Sequence, residues 1–248
     1  MVDILGRKVG VMDKTAIIIP ARWGSTRFPG KPLVEINGKV MIQWVYDACK
    51  KSNADDVFVA TDSEKIYKAV ESFGGKCIMT GECKTGTDRV IQATEKLPKD
   101  YKYIVNIQGD EPGIHAREIN NLIKTLHKNH HKVATLVTRM TAEQKLDRNV
   151  VKAYVENREI QMFTRSPIYG KCLWFFRHIG VYGFSRFTLN KIKTLTQQTD
   201  NELGENLEQL RWCDSGVGFV YDVTNYSAKG VDTVADVEKM SKHLKTIS

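Results

Sequence analysis

Residues Ala16 to Pro32 read AIIIPARWGSTRFPGKP. The apolar run Ile17-Ile18-Ile19 stops at Pro20, and a short apolar run bounded by a breaker predicts a buried strand. A loop holding Arg22, Ser25, Arg27, Gly30 and Lys31 directly after such a strand reads as a phosphate cradle at the carboxyl edge of a sheet. Arg22 offers a planar fork to phosphate oxygens and Lys31 a point charge. The loop is not an ATPase P-loop. It has one residue too many between Gly24 and Gly30, and Pro32 stands where Ser or Thr would hold a metal. No GxGxxG occurs. The chain therefore opens by making a pocket for a nucleotide's triphosphate.

Outward from this stretch, strands and helices alternate. Apolar residues at helical spacing predict a helix over Val40–Lys51. DVFVAT, Asp56–Thr61, reads as a strand, with Ser63 as cap of a helix to Phe73 and Gly74-Gly75 as its stop. A strand at Lys76–Thr80, a helix at Thr87–Leu97, a strand at Tyr103–Gln108, a helix at Ala116–Asn129 and a strand at Val133–Thr138 follow. Such βαβ repetition implies an α/β fold with a mostly parallel central sheet and helices on both faces, Rossmann-like. After Met140 the rhythm changes. Val150–Val155, Glu159–Thr164, His178–Phe184 and Val217–Val223 read as strands of a mixed α+β lid or dimerisation subdomain at about 140–225. Helices are expected at Phe187–Leu195 and at Glu202–Trp212, the latter with Leu203, Leu207 and Leu210 inward. A last helix opens at Thr233 with Asp236 in the capping-box position.

The 248 residues suit one large domain, here 15–248, behind a loosely attached leader at 1–14. At 42% hydrophobic the chain can bury a substantial core, yet no apolar stretch is long enough to span a bilayer and no signal-peptide pattern opens it. Five cysteines, an odd number with no CxxC, suggest neither a disulfide framework nor a zinc knuckle, so a reducing cytoplasm is expected. The net charge of +8 fits nucleic-acid binding, or an anionic small substrate on a chain whose lysines coat its helices. The lysines are dispersed and the aromatics pattern as core, which favours the second and predicts neither nucleic-acid binding nor membrane insertion.

Several further groups can carry chemistry. In Gln108-Gly109-Asp110-Glu111-Pro112 a carboxylate follows a buried strand, where α/β sheets bind ligands. Asp110 is suited to Mg2+, or to capping a turn before Pro112. Asp232, in Gly230-Val231-Asp232-Thr233, is either part of a helix entry or the second half of a carboxylate pair with Asp110. Thr85-Gly86-Thr87-Asp88-Arg89 is an N-cap, or a base or phosphate contact with Arg89 as donor. Arg165, His178, Tyr182, Glu208 and Gln209 are scattered polar residues, structural or ligand-binding, with His178 and Tyr182 on one strand face. His127, His130 and His131 crowd a helix end, solvated or metal-binding.

The segments IPARWGSTRFPGKPL, VATD, TGTDR, NIQGDEP, TRSPI, RHIGVYGF, LEQLR and GVDT stand in the order found in the CMP-Kdo synthetase (3-deoxy-manno-octulosonate cytidylyltransferase) family, which the chain resembles from about Thr15 to Leu244. Sialic-acid cytidylyltransferases carry a loop of the RGGSKGIPGKN kind instead of STRFPGKPL. The resemblance implies a nucleotidyltransferase fold, a homodimer, and Mg2+-dependent transfer of CMP from CTP to the acidic 3-deoxy sugar Kdo with pyrophosphate release, for lipopolysaccharide biosynthesis. It implies Lys31, Arg22, Asp110 and Asp232 as catalytic, the two acids as metal ligands, and Pro20, Ala21, Arg22, Ser25, Lys31, Thr87, Arg89 and Gln108 as nucleotide contacts. It implies Arg165, His178, Tyr182, Glu208 and Gln209 as the sugar site, within 140–225. Cys83-Lys84 replaces a His and a small residue, the stretch between Pro167 and His178 is short, and Ile168-Tyr169 replaces Ile-Pro. Because that loop approaches the sugar, 8-amino-Kdo or another acidic sugar is the alternative substrate.

Overall fold

A computed structural model describes residues 13–24, 28–171, 173–226 and 230–247. Strand β1, Lys14–Ala21, leads through a 3-10 turn at Lys31–Leu33 to the short strands β2 (Glu35–Ile36) and β3 (Lys39–Val40) and to helix α1 (Met41–Lys50). There follow β4 (Asp56–Thr61), α2 (Glu64–Ser72), β5 (Lys76–Met79), α3 (Gly86–Glu95), β6 (Tyr101–Asn106), α4 (Ala116–Lys128) and β7 (Val133–Thr138). The second half contributes α5 (Ala142–Leu146), β8 (Lys152–Glu156), β9 (Glu159–Thr164), β10 (Phe175–Ser185), α6 (Arg186–Lys193), α7 (Asp200–Glu205), α8 (Glu208–Asp214), β11 (Phe219–Val223) and α9 (Val234–Ile247).

Nine strands form one sheet in the order β5-β4-β1-β6-β10-β7-β11-β9-β8. β5, β4, β1 and β6 are mutually parallel. β10 runs antiparallel between β6 and β7, and β11 lies parallel to β7. In β1 the apolar run alternates across the sheet: Ile17 and Ile19 face α1 and α4, while Ala16 and Ile18 face α3. All three isoleucines are fully buried, each worth about 1.5–3 kcal/mol of apolar burial. The mixed region expected at 140–225 is therefore not a layer set apart. β8 pairs with both β9 and β10, so β7, β11, β9, β8 and β10 close a circuit beside the parallel half. Phe163, Phe176, His178 and Phe219 pack in aromatic contact with one another or with Tyr221 in this region.

Two features bring the last helix to the carboxyl edge. Asn37 and Gly38 both have positive φ, 50° and 80°, which turns β2 back onto β3 as a primed hairpin. Ile36 of that hairpin packs with Met41, Val231, Met240 and Leu244 in a small core. Asn37 donates to the Ser241 carbonyl at 2.9 Å and accepts from the Ser241 hydroxyl at 2.6 Å, fastening α9 to the hairpin.

Two local expectations are corrected. Glu202–Trp212 is not one helix: Asn206 takes the left-handed conformation (φ 52°), ending α7, and α8 starts afresh at Glu208. Leu203 consequently faces solvent, 61% exposed, while Leu207 and Leu210 are buried. Ser63 precedes α2 but its side chain makes no capping bond. Thr233 and Asp236 do meet, with the Asp236 carboxylate accepting from the Thr233 amide at 3.0 Å and hydroxyl at 2.8 Å.

Candidate active site

The carboxyl ends of β1 and β6, the 3-10 turn and the start of α3 surround a cleft of about 350 Å³. Gly30 opens the 3-10 turn that carries Lys31. Its φ of 69° is left-handed, and a Cβ there would stand 3.0 Å from the Trp23 indole, so only glycine fits without displacing that ring. The turn it opens aims Lys31 into the cleft. Gly109 is held as tightly, since a Cβ would meet the Pro20 carbonyl oxygen at 3.0 Å and Ile42 at 3.1 Å.

Lys31 Nζ lies 2.7 Å from Asp110 Oδ2 and 3.2 Å from Asp232 Oδ1. Two acids 122 positions apart thus converge on one ammonium, the arrangement that the paired-carboxylate reading requires. Burial by itself would lower the Lys31 pKa; Asp110 and then Asp232 outweigh it, and the net shift is upward. Pro20, Ala21, Arg22, Arg89 and Gln108 line the same cleft, as the sequence suggests. Ser25 lies outside the described residues. Thr85 caps α3 in a full capping box with Asp88, so the helix enters the cleft's rim with its amide ends ordered.

Some site residues are placed differently from their expected roles. The Arg89 guanidinium is 3% exposed and engaged: it donates to Asp62 Oδ2 at 2.5 Å and to the Thr80 hydroxyl. It braces the loop under the cleft more than it reaches into it. Thr87 lies in a neighbouring hollow, donating to Glu208 Oε1 at 2.7 Å, which ties the expected nucleotide and sugar sets together through one bond. Burial raises the Glu208 carboxyl against the pull of Thr87 and Thr85. His178 and Tyr182 are buried with ring centroids 5.5 Å apart, and Gln209 is also buried; none of the three lines the cleft. His178 Nε2 is 3.0 Å from the Thr135 hydroxyl, and burial pushes the imidazole down to about 3, so it is neutral at pH 7.

Arg165 stands apart as well. Its Nε donates to the Glu205 carbonyl at 3.1 Å and its Nη1 to the Asn149 carbonyl at 3.2 Å. Buried Lys152 beneath it donates to the carbonyls of Asp147 and Arg165, at 2.5 and 3.0 Å. Sequence reasoning gave no role to Lys152, Asp62, Lys84 or Glu111. Lys84 lines the cleft as a further cation. The Glu111 carboxyl is pushed up to about 7 by burial and by neighbouring Asp110, against the Tyr226 hydroxyl bond and the charge of Arg177. The VATD and GDEP motifs hold Asp62 and Glu111, so motif membership was the available signal. Among the described residues His127, His130 and His131 form no metal-binding group, and no helix is long and apolar enough to cross a membrane.

A sheet whose parallel half carries a cationic cleft and two acids at its carboxyl edge is the arrangement of a nucleotidyltransferase. The cytidylyltransferase family model matches residues 16–222. The 3-deoxy-manno-octulosonate cytidylyltransferase of Thermodesulfovibrio yellowstonii is 38% identical over 94% of this chain and 99% of its own length. That of Fusobacterium nucleatum is 41% identical over 92% and 96%. The solved structure of a CMP:2-keto-3-deoxy-manno-octonic acid synthetase complexed with CTP superposes with a TM-score of 0.89 at 35% identity, covering 95% of this chain and all of that one. The chain belongs to the 3-deoxy-manno-octulosonate cytidylyltransferase family and is a cytidylyltransferase.

Proposed function

We propose that this enzyme transfers CMP from CTP to the anomeric hydroxyl of Kdo, releasing pyrophosphate for lipopolysaccharide biosynthesis. The anomeric oxygen bonds to the α-phosphorus as the bond from that phosphorus to the pyrophosphate oxygen breaks. The observation that carries the reading is the convergence of Asp110 and Asp232 on Lys31 beside Arg22. Such transfer is chiefly positioning and charge stabilisation, and the cleft's own groups can supply both. Lys31, Arg22 and Lys84 would neutralise the triphosphate and the charge gathering on the departing pyrophosphate. Asp110 and Asp232 suit a hard divalent cation: two carboxylate oxygens reach one cationic point, and among the described residues no third acid, His or Cys completes a cage, leaving positions for water and phosphate oxygens. Mg2+ held there would polarise an α-phosphate oxygen. Neutral His178 and Tyr182, with Gln209, would present hydrogen bonds rather than charge to the sugar, and Glu208 would add a carboxyl group beside them. Arg165 would take the sugar's carboxylate after its fork releases the backbone carbonyls it holds. The reading includes a homodimer, which sedimentation of the purified protein tests directly.

Pyrophosphate release is the deciding measurement, run with each of the four nucleoside triphosphates against Kdo, 8-amino-Kdo and sialic acid. CTP with Kdo should dominate. Release confined to CTP with 8-amino-Kdo would move the assignment to that sugar, in keeping with the altered loop at Ile168-Tyr169. No release with any acidic sugar would overturn it. Replacing Asp110 or Asp232 with Asn should each cost ~10²-fold or more in turnover, the scale of a lost transition-state charge partner.

A further inference from the structure

Tyr226 and Val231 both meet the turn carrying Asp110. Downstream, the Val231 amide donates to the Asp110 carbonyl at 3.0 Å. Upstream, buried Tyr226 donates its hydroxyl to Glu111 Oε2 at 3.2 Å. The other oxygen of Glu111 faces Gly230, where a Cβ would sit 3.7 Å away. Gly113 lies under the same phenol, with a Cβ position 3.5 Å from the Tyr226 oxygen. Glu111 itself is fixed within its turn, its amide donating to the Gln108 carbonyl and its carbonyl accepting from Ile114. One turn therefore carries the first acid and, through its next residue, meets Tyr226 and lies beside Gly230, two positions ahead of the second acid.

We infer that Glu111, through Tyr226, is a positioning residue that sets the spacing between the Asp110 and Asp232 carboxylates. It touches neither Lys31 nor the expected path of the phosphates, and its side chain is not among the groups lining the cleft. The inference rests on the proposed function, which gives those two acids a divalent cation to hold. Partners that orient ligating carboxylates typically tune affinity without contacting the metal.

The test is Mn2+ binding to the full-length protein, read by the loss of the free-ion electron paramagnetic resonance signal with a non-hydrolysable CTP analogue bound. Thermal midpoints and the KM for CTP are measured alongside. Glu111→Ala should weaken Mn2+ binding about tenfold or more, the usual cost of losing an orienting partner. Glu111→Gln keeps an oxygen for the Tyr226 hydroxyl and should recover most of that loss, while Tyr226→Phe should fall between. The KM for CTP should stay within about twofold of its starting value, since the phosphate cradle is untouched. If Glu111→Ala fails to fold, the Gln and Phe variants decide: Tyr226→Phe binding Mn2+ as tightly as the starting protein overturns the inference. So does Glu111→Ala with unchanged Mn2+ affinity, or Glu111→Gln no better than Glu111→Ala at equal thermal midpoints. Asp110→Asn separates the two levels. If it binds Mn2+ normally, the metal assignment itself falls; if it loses Mn2+ while Glu111→Ala does not, only the positioning role falls.

Discussion

Lys31 has two partners to serve. Its ammonium pairs with both Asp110 and Asp232, and a triphosphate in the cleft would call on the same charge. Replacing it with Met, which keeps length and loses charge, should therefore act in opposite directions on two measurements. Turnover should drop ~10²-fold or more, because a cation facing the leaving group is gone. Mn2+ binding without nucleotide should become tighter, because two facing carboxylates are left with no ammonium between them. A Lys31→Met variant that binds Mn2+ no better than the starting protein would mean that Lys31 does not compete with the metal. At this scale the sequence was partly legible. The acids could be paired because each follows an extended segment at a sheet edge or helix entry. The Arg89 bonds to Asp62 and Thr80 could not be read, because partners so far along the chain leave no local trace.

Helix α7 gives way to α8 at a single backbone angle. Asn206, exposed and with φ of 52°, occupies the left-handed region that Asn and Gly tolerate and Ala does not. No hydrogen bond of its side chain complicates the comparison among the bonds described. Asn206→Ala should cost about 1 kcal/mol, or ~2–4 °C in Tm for a chain of this length, whereas Asn206→Gly should leave Tm nearly unchanged. Calorimetry of the two variants decides; equal losses would place the cost elsewhere than in φ. The apolar spacing of Leu203, Leu207 and Leu210 fits one continuous helix, so periodicity alone could not expose the break. The primed hairpin at Asn37-Gly38 was the reverse case. Its dipeptide is a direct turn signal that was available and unused, because the flanking strands are only two residues each. Strands with dense apolar runs, such as β4 and β7, match their predicted limits residue for residue, since near-continuous burial demands a continuous pattern.

Pairing between distant segments decides the whole molecule. β10 inserts antiparallel between β6 and β7, placing Tyr182 opposite Asn106 and His178 opposite Val137. Strand patterns specify that β10 is buried but not which neighbours it takes, so the continuous sheet was not legible where its strands were. The insertion has an energetic consequence. It seals His178 into a buried position beside Thr135, holding its pKa at about 3 against an ordinary 6.5. The unfolded chain then binds a proton that the folded chain refuses. The His178 contribution is present above about pH 6.5 and is lost as pH falls toward 3, at roughly 1.4 kcal/mol per pH unit. Glu111 acts with the opposite sign, because its folded pKa of about 7 lies above its ordinary 4.5, so stability rises as pH falls between those values. From pH 6.5 to 4.5 the two slopes oppose each other and the intact protein shows little net change from them. The difference between the protein and His178→Gln isolates the imidazole, since Glu111 and the lowered acids Asp56 and Asp236 are common to both. Urea unfolding at pH 7, 6 and 5 should show the stability advantage of the starting protein over His178→Gln shrinking steadily below pH 6.5, with unchanged m-values. A constant difference across that range would mean that His178 takes up its proton as readily in the folded sheet as in the open chain.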